Sequence, residues 1–104
     1  MTDPFGGMGG LLGGLQQQMQ ALQAQAEAEE VECAAGGGMV RVRMNGAHKL
    51  LAVRIAPEAM QDRELLEDLV VAATNQASSL AKEAVARKLG QLAQAMGLPP
   101  GLLG

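Results

Sequence analysis

Gly36 to Pro57, GGGMVRVRMNGAHKLLAVRIAP, is the stretch that decides the fold. Val40, Val42 and Met44 alternate with Arg41 and Arg43, the period-2 pattern of a half-buried strand. Asn45-Gly46 follows, a pair suited to the positive φ angles of a tight type I′ turn. A second strand is expected from His48 to Ile55. An even-length loop then places Val40, Val42, Met44, Lys49, Leu51, Val53 and Ile55 on the core face. Arg41, Arg43, His48, Leu50, Ala52 and Arg54 fall on the other. Pro57 cannot donate a ladder hydrogen bond and stops the second strand. Gly36-Gly37-Gly38 reads as the turn into this hairpin, the alternative being a close approach to another backbone. Val31 to Ala35 reads as a third, short strand before it.

Helices are expected on either side. From Leu15 to about Glu32 the chain is rich in Gln, Ala, Leu, Met and Glu, all good helix formers. Leu12, Leu15, Met19, Leu22 and Ala26 are spaced 3, 4, 3, 4, a heptad seam narrower than the face of a core helix. The outer positions are mostly neutral glutamines, so this stripe calls for one partner helix. After the hairpin, Asp62 is a candidate N-cap, with Glu64, Glu67 and Asp68 early in the helix where its dipole favours acids. That helix is expected to run to about Met96, on the order of 50 Å at ~1.5 Å per residue. Leu66, Leu69, Val70, Ala73, Ala77, Leu80, Ala81 and Ala84 hold one face. From Val85 the stripe becomes Val85, Leu89, Leu92 and Met96, displaced by roughly a third of a turn. The first half is therefore expected to pack on the sheet. The second half is expected to meet the seam of the first helix, in one chain or across a dimer, as a projecting arm. Gly90 is where that arm can bend. Gly97 and Pro99-Pro100 end it.

The fold class is thus α+β, a small three-stranded antiparallel sheet flanked by a long N-terminal and a long C-terminal helix. Residues 15–96 form the single domain. Residues 1–14 form a glycine-rich tip expected to be mobile, in which Phe5, Met8, Leu11 and Leu12 offer apolar contacts. Residues 97–104 form a Gly/Pro-rich tail.

Composition bounds the function. A chain of 104 residues is one domain, and with one phenylalanine and no tyrosine or tryptophan its core must be built from Leu, Val, Ile, Met and Ala. Such a domain is marginal alone, so oligomerisation is expected. Base stacking on aromatics is excluded as a nucleic-acid binding mode. A net charge of −3 argues against a general electrostatic affinity for DNA or anionic membrane. The charges are nevertheless segregated. Glu27, Glu29, Glu30 and Glu32 form one acidic block, and Glu58, Asp62, Glu64, Glu67 and Asp68 another. Arg41, Arg43, Lys49 and Arg54 form one basic span, and Lys82, Arg87 and Lys88 a second. The lone Cys33 cannot form an internal disulfide and suits a reducing cytosol, where it reads as a small core residue. No secretory signal pattern is evident, and no apolar run approaches the ~20 residues that span a bilayer.

No catalytic set is visible, so an enzyme is not expected. A nucleophile needs a base within reach, and the single histidine, His48, stands in no Ser, Cys or Asp motif. Neither a cofactor nor a small-molecule substrate is indicated. A metal site is not expected with one histidine and one distant cysteine. His48 reads instead as a turn-flanking hydrogen-bonding group.

Gly38-Met39-Val40, Met44-Asn45-Gly46, His48, Ile55 and Pro57 stand in a fixed order. They are followed by Leu66-Glu67-Asp68-Leu69, Ala72-Ala73, Asn75 and Ala77, and by the closing Met96-Gly97-Leu98-Pro99-Pro100-Gly101. On this ordered set the chain, from about Leu15 onward, resembles the YbaB/EbfC family of bacterial nucleoid-associated proteins. The resemblance implies a cytoplasmic, nucleoid-located homodimer with a central antiparallel sheet and helical arms projecting like tweezers. It implies binding of double-stranded DNA with little or modest sequence preference, changes in DNA shape, and an influence on the expression of many genes.

Lys82, Arg87 and Lys88 are the first candidates for DNA phosphate contact, because Lys and Arg neutralise phosphates and release counterions. Gln91 and Gln94, on Arg87's outward side, could add neutral hydrogen bonds. The plainer alternative is a solvated helix face with Glu83–Arg87 as an i,i+4 pair. Arg41, Arg43 and Arg54 are secondary DNA candidates; the alternative is cross-strand pairing with Glu30 or Glu32. Leu15, Met19, Leu22, Val85, Leu89 and Leu92 are the candidates for arm or dimer packing. A second functional class stays open. In it the heptad seams, the neutral arm and the apolar tip make a homo-oligomeric protein-interaction module with weak or no DNA binding.

Overall fold

The computed structural model describes residues 6–97, with side chains from residue 10 onward. The order is α1 (Gly6–Glu27), β1 (Glu30–Ala35), β2 (Val40–Asn45), β3 (Leu50–Ile55), a short 3-10 helix (Pro57–Gln61) and α2 (Arg63–Ala95). The expected contacts of Phe5 and Met8 and the stop at Pro99-Pro100 lie outside the described residues.

The three strands form an antiparallel sheet in the order β1-β2-β3, as their alternation and two short connections require. Gly36, Gly37 and Gly38 all take positive φ (64°, 67° and 96°), which only glycine adopts without strain, and so turn β1 into β2. Val40, Val42 and Met44 are buried while Arg41 and Arg43 are exposed, the pattern read from the sequence.

The hairpin turn differs from expectation. His48 N–H donates to the Asn45 carbonyl (3.0 Å), and Asn45 N–H donates to the Lys49 carbonyl (3.0 Å). Asn45 Oδ1 accepts from the N–H groups of Ala47 and Lys49, both at 3.0 Å. The loop is therefore longer than a two-residue type I′ turn. The positive φ falls on His48, at 62°, and not on Gly46. Beyond the loop, Arg43 faces Ala52 but Met44 faces Leu50, so Leu51 is an extra residue in a β-bulge. The bulge changes the face assignment: Leu50, and not Leu51, stands opposite Met44 on the core face. Lys49 lies in the loop.

Gly46 has a tertiary task. A Cβ there would stand 2.6 Å from the Ala26 carbonyl oxygen, 2.6 Å from Val85 Cγ2 and 2.9 Å from Glu27 Cα. Its N–H donates to the Glu29 carbonyl at 2.7 Å. The hairpin tip, the end of α1 and the middle of α2 thus converge on a residue without a side chain. The same junction ends α1 at Glu27, short of the expected Glu32. Glu30 and Glu32 pair with Asn45 and Arg43 in the sheet, drawing the acidic end of the helical pattern into β1. At its other end α1 begins at Gly6, ahead of the expected Leu15. A helix nucleated in the Gln/Leu segment extends through glycines at ~1 kcal/mol each relative to alanine.

Asp62 caps α2, its Oδ1 accepting from Leu65 N–H at 3.1 Å, a contact that contributes about 1 kcal/mol. The helix runs unbroken through Gly90 for 33 residues. Its first half lies over β1 and β2. Ala73, Ala77 and Ala81, one turn apart along one stripe, are fully buried against Cys33, Val40, Val42 and Met44. Alanines there let the helix axis approach the sheet closely, and Leu66, Leu69, Val70 and Leu80 close the flanks. The second half packs against α1 within the same chain. Since α1 arrives at the Gly46 junction and α2 leaves it, the pair forms an antiparallel arm. The Cα radius of gyration is 20.1 Å, with extents of 75 × 25 × 14 Å. A compact chain of this length has a radius near ~13 Å.

Candidate nucleic-acid interface

The basic residues separate into three groups. Arg41 and Arg43 project from the outer face of β2, and Arg54 from β3. Arg41 Nη1 lies 3.8 Å from Glu32 Oε1, and Arg43 Nε lies 3.2 Å from Glu30 Oε1. The cross-strand pairing considered from the sequence is therefore present for these two. Both pairs are about half exposed, and such pairs contribute roughly 0–1 kcal/mol. Arg54 stands directly opposite Arg41 and has no ion-pair partner among the described residues. Together with Glu32, Val42 and Ala52 the three arginines line a cleft of about 400 Å³.

The second group lies at the root of the arm. Arg87, Lys88 and Gln91 share a shallow cleft of about 180 Å³ with Glu29 and Ala84. Lys88 Nζ sits 3.5 Å from Glu29 Oε1, both side chains about one-third exposed. Sequence spacing offered Glu83 as a helical partner for Arg87. The fold instead pairs its neighbour Lys88 with an acid from the turn after α1. Arg87 itself is exposed and unpaired among the described residues.

Lys82 belongs to neither group. It lines a separate cleft with Gln23, Glu27, Gly46, Ala47, His48 and Val85. Gln23 Nε2 donates to Glu27 Oε1 (3.1 Å), and His48 Nδ1 lies 3.1 Å from Ser78 Oγ. His48 is thus a hydrogen-bonded turn residue, as read from the sequence, but its partner on α2 was invisible there: the two are 30 positions apart.

Of the packing candidates, Leu22 is buried (8% exposed), whereas Leu15 and Met19 are 48% and 52% exposed. Val85, Leu89 and Leu92 are half-buried. Ala26 and Ala93 are fully buried, and Ala93 escaped the sequence reading because it lies outside the Val85/Leu89/Leu92 spacing. A second apolar surface lies on the sheet. Val53 and Ile55 stand opposite the buried Val42 and Val40, and Leu50 opposite Met44. Yet these three are 40–43% exposed, because α2 lies over β1 and β2 and β3 is an edge strand.

Cys33 is buried, and desolvation raises its thiol pKa, which keeps it protonated and unsuited to nucleophilic chemistry. Among the described residues no group of three or more His, Cys, Asp or Glu side chains is placed to hold a metal. No helix among them is long and apolar enough to cross a membrane.

The family model described as the YbaB/EbfC DNA-binding family matches residues 3–96. A nucleoid-associated protein of Nitrobacter hamburgensis is 44% identical over 90 residues, spanning 85% of each chain. One of Dictyoglomus thermophilum is 41% identical over 104 residues, spanning 98% of this chain and 99% of the relative. Among solved structures, an uncharacterized protein of Helicobacter pylori superposes with a TM-score of 0.68 at 28% identity. The match spans 91% of this chain and 98% of that one.

Proposed function

This chain belongs to the YbaB/EbfC DNA-binding family, and from that premise we propose that it is a nucleoid-associated protein binding double-stranded DNA as a homodimer. Binding runs through backbone phosphates with little sequence preference, alters DNA conformation, and contributes to nucleoid organisation and gene regulation in the cytoplasm. The observation that carries the site is the exposed Arg87, unpaired among the described residues, beside Lys88 and Gln91 on a projecting arm. A guanidinium, an ammonium and a carboxamide in one shallow cleft suit a phosphodiester. Lys82, and Arg41, Arg43 and Arg54 on the sheet, extend the basic surface. Leu50, Val53 and Ile55 support dimerisation: a free edge strand with an uncovered apolar face is a template for a second copy.

Anisotropy titrations of a random duplex at several salt concentrations test this reading. With two or three phosphate contacts per protomer of a dimer, the log–log salt slope is expected at roughly −4 to −5. Arg87→Glu with Lys88→Glu should abolish binding and leave the dimer intact. Unchanged binding in that variant removes the site assignment. The second reading, a homo-oligomeric interaction module, is favoured by the exposed Leu12, Leu15 and Met19 on a neutral helix and by the net charge of −3. It leads if no duplex binding is seen at low salt while Leu15→Asn with Leu22→Asn breaks assembly.

A further inference from the structure

The sheet and the helix that covers it turn oppositely charged faces to solvent. On the outer face of the sheet Arg41 stands directly across from Arg54, and like charges placed opposite one another disfavour the pairing. Arg41 has Glu32 at 3.8 Å to offset this, and Arg43 has Glu30 at 3.2 Å. Arg54 has no ion-pair partner among the described residues. The face stays open because α2 lies on the other side of the sheet, over Val40, Val42 and Met44. Opposite Arg43 the short Ala52 leaves room between the three guanidiniums, in the cleft of about 400 Å³.

The far side of the layer is acidic. From Glu64 to Ala81, α2 carries Glu64, Glu67 and Asp68 and no basic residue. Glu64, Asp68 and Val71 lie roughly 140–180° around the helix from Ala73, at ~100° per residue. Ala73 is buried on the sheet, so these three point away from it, and all are exposed. Arg63 engages Glu67 at 3.5 Å. Glu64 and Asp68 have no ion-pair partner among the described residues. They stand one turn apart, ~6 Å along the axis, close to the ~5 Å between directly opposed cross-strand residues. Two unpaired carboxylates thus match the spacing of Arg41 and Arg54, and a guanidinium takes a carboxylate through two parallel hydrogen bonds. Each face repels its own kind, so the contact does not close as a two-fold pair. Acidic face against basic face is heterologous, and repeated it builds an open row.

We infer that the outer face of α2 in one molecule docks through Glu64 and Asp68 on the arginine face of the sheet in another, so that copies stack head to tail. The apolar face of β3 and the Arg87/Lys88 cluster stay outside the contact, so a dimer through β3 can stack with its arms free. At the sheet arginines a neighbouring copy and a phosphate backbone are alternative occupants. The stack itself needs no DNA, so its failure and the failure of the DNA-binding reading are separate results. The test is sedimentation velocity without DNA at about 0.01 M and about 1 M salt, between which the Debye length falls from about 30 to about 3 Å. The wild-type weight-average mass should be roughly twofold or more higher at the lower salt. Arg41→Glu with Arg54→Glu, or Glu64→Lys with Asp68→Lys, should each weaken stacking roughly tenfold, since several exposed ion pairs become repulsive. Mixing these two variants should restore it, because each now offers the face that the other lacks. Circular dichroism melts check that both are folded; if charge reversal unfolds either, Arg54→Gln and Asp68→Asn carry the test, each weakening stacking several-fold. A wild-type mass that does not change with salt overturns the inference. So does stacking that survives the substitutions, or a mixture of two folded charge-reversed variants that stays apart.

Discussion

The two halves of α2 meet their neighbours differently. Over the sheet, Ala73, Ala77 and Ala81 lose all their solvent exposure to Val40, Val42, Met44 and Cys33. In the arm, Val85, Leu89 and Leu92 are only half covered, and Met96 is exposed. The partner helix shows the same gradient: Leu22 and Ala26 are buried near the junction, and Leu12, Leu15 and Met19 are exposed farther out. A sheet gives a helix a broad surface on which small side chains can be enclosed. A single antiparallel helix covers only one strip, so half of each stripe stays open. The sheet beneath α2 is therefore closed by its own chain, whereas the arm, like the edge strand β3, is left with apolar and charged surface to use elsewhere.

The junction between these regions is the point most sensitive to change. Gly46→Ala forces a Cβ against the backbone of α1 and a methyl of α2, and is expected to cost about 3 kcal/mol, the upper part of the overpacking range. Chemical denaturation gives the value. A cost below about 0.5 kcal/mol, ordinary for a surface site, means that body and arm are not locked together there.

Within the body, Val42→Ala opens a cavity beneath the alanine stripe and should cost about 2 kcal/mol. The comparison breaks if the equal truncation in the arm, Val85→Ala, costs more.

Val53→Asp with Ile55→Asp places charge on the uncovered face of β3. It should weaken self-association at least tenfold, about 1.4 kcal/mol, as read by sedimentation at several concentrations. The isolated chain should stay folded, because both side chains are already 40% exposed. Undiminished association moves the dimer contact off β3 and towards the arm.

The smallest effect is expected in the outer arm. Leu15→Asn with Met19→Asn should change stability by less than about 0.5 kcal/mol, as for other exposed positions. A larger, concentration-dependent loss in thermal melts shows that another copy covers the arm.

Much of this was legible residue by residue. The alternation of Val40, Val42 and Met44, the Asp62 cap, the glycine turn at 36–38 and the change of stripe direction near Val85 all depend on neighbours within a few positions. The three-stranded antiparallel sheet, both long helices and the cross-strand pairs of Arg41 and Arg43 followed from them. The candidate interface was legible in residue type but not in grouping. Spacing put Lys82 beside Arg87 and Lys88, whereas α1 and the hairpin divide them between two clefts. Neither the Lys88–Glu29 contact nor the His48–Ser78 contact leaves any local trace.

The hairpin loop marks the boundary between the two kinds of information. Asn45-Gly46 carries the local signature of a type I′ turn, and nothing nearby in the chain contradicts it. The folded molecule moves the positive φ to His48, inserts a bulge at Leu51 and spends Gly46 on the approach of α1 and α2. Hydrogen-bond geometry and side-chain period act over a few residues and so write themselves into the sequence pattern. Steric exclusion acts between residues that are near only in space, such as Gly46, Ala26 and Val85, and it is settled only once the helices have converged.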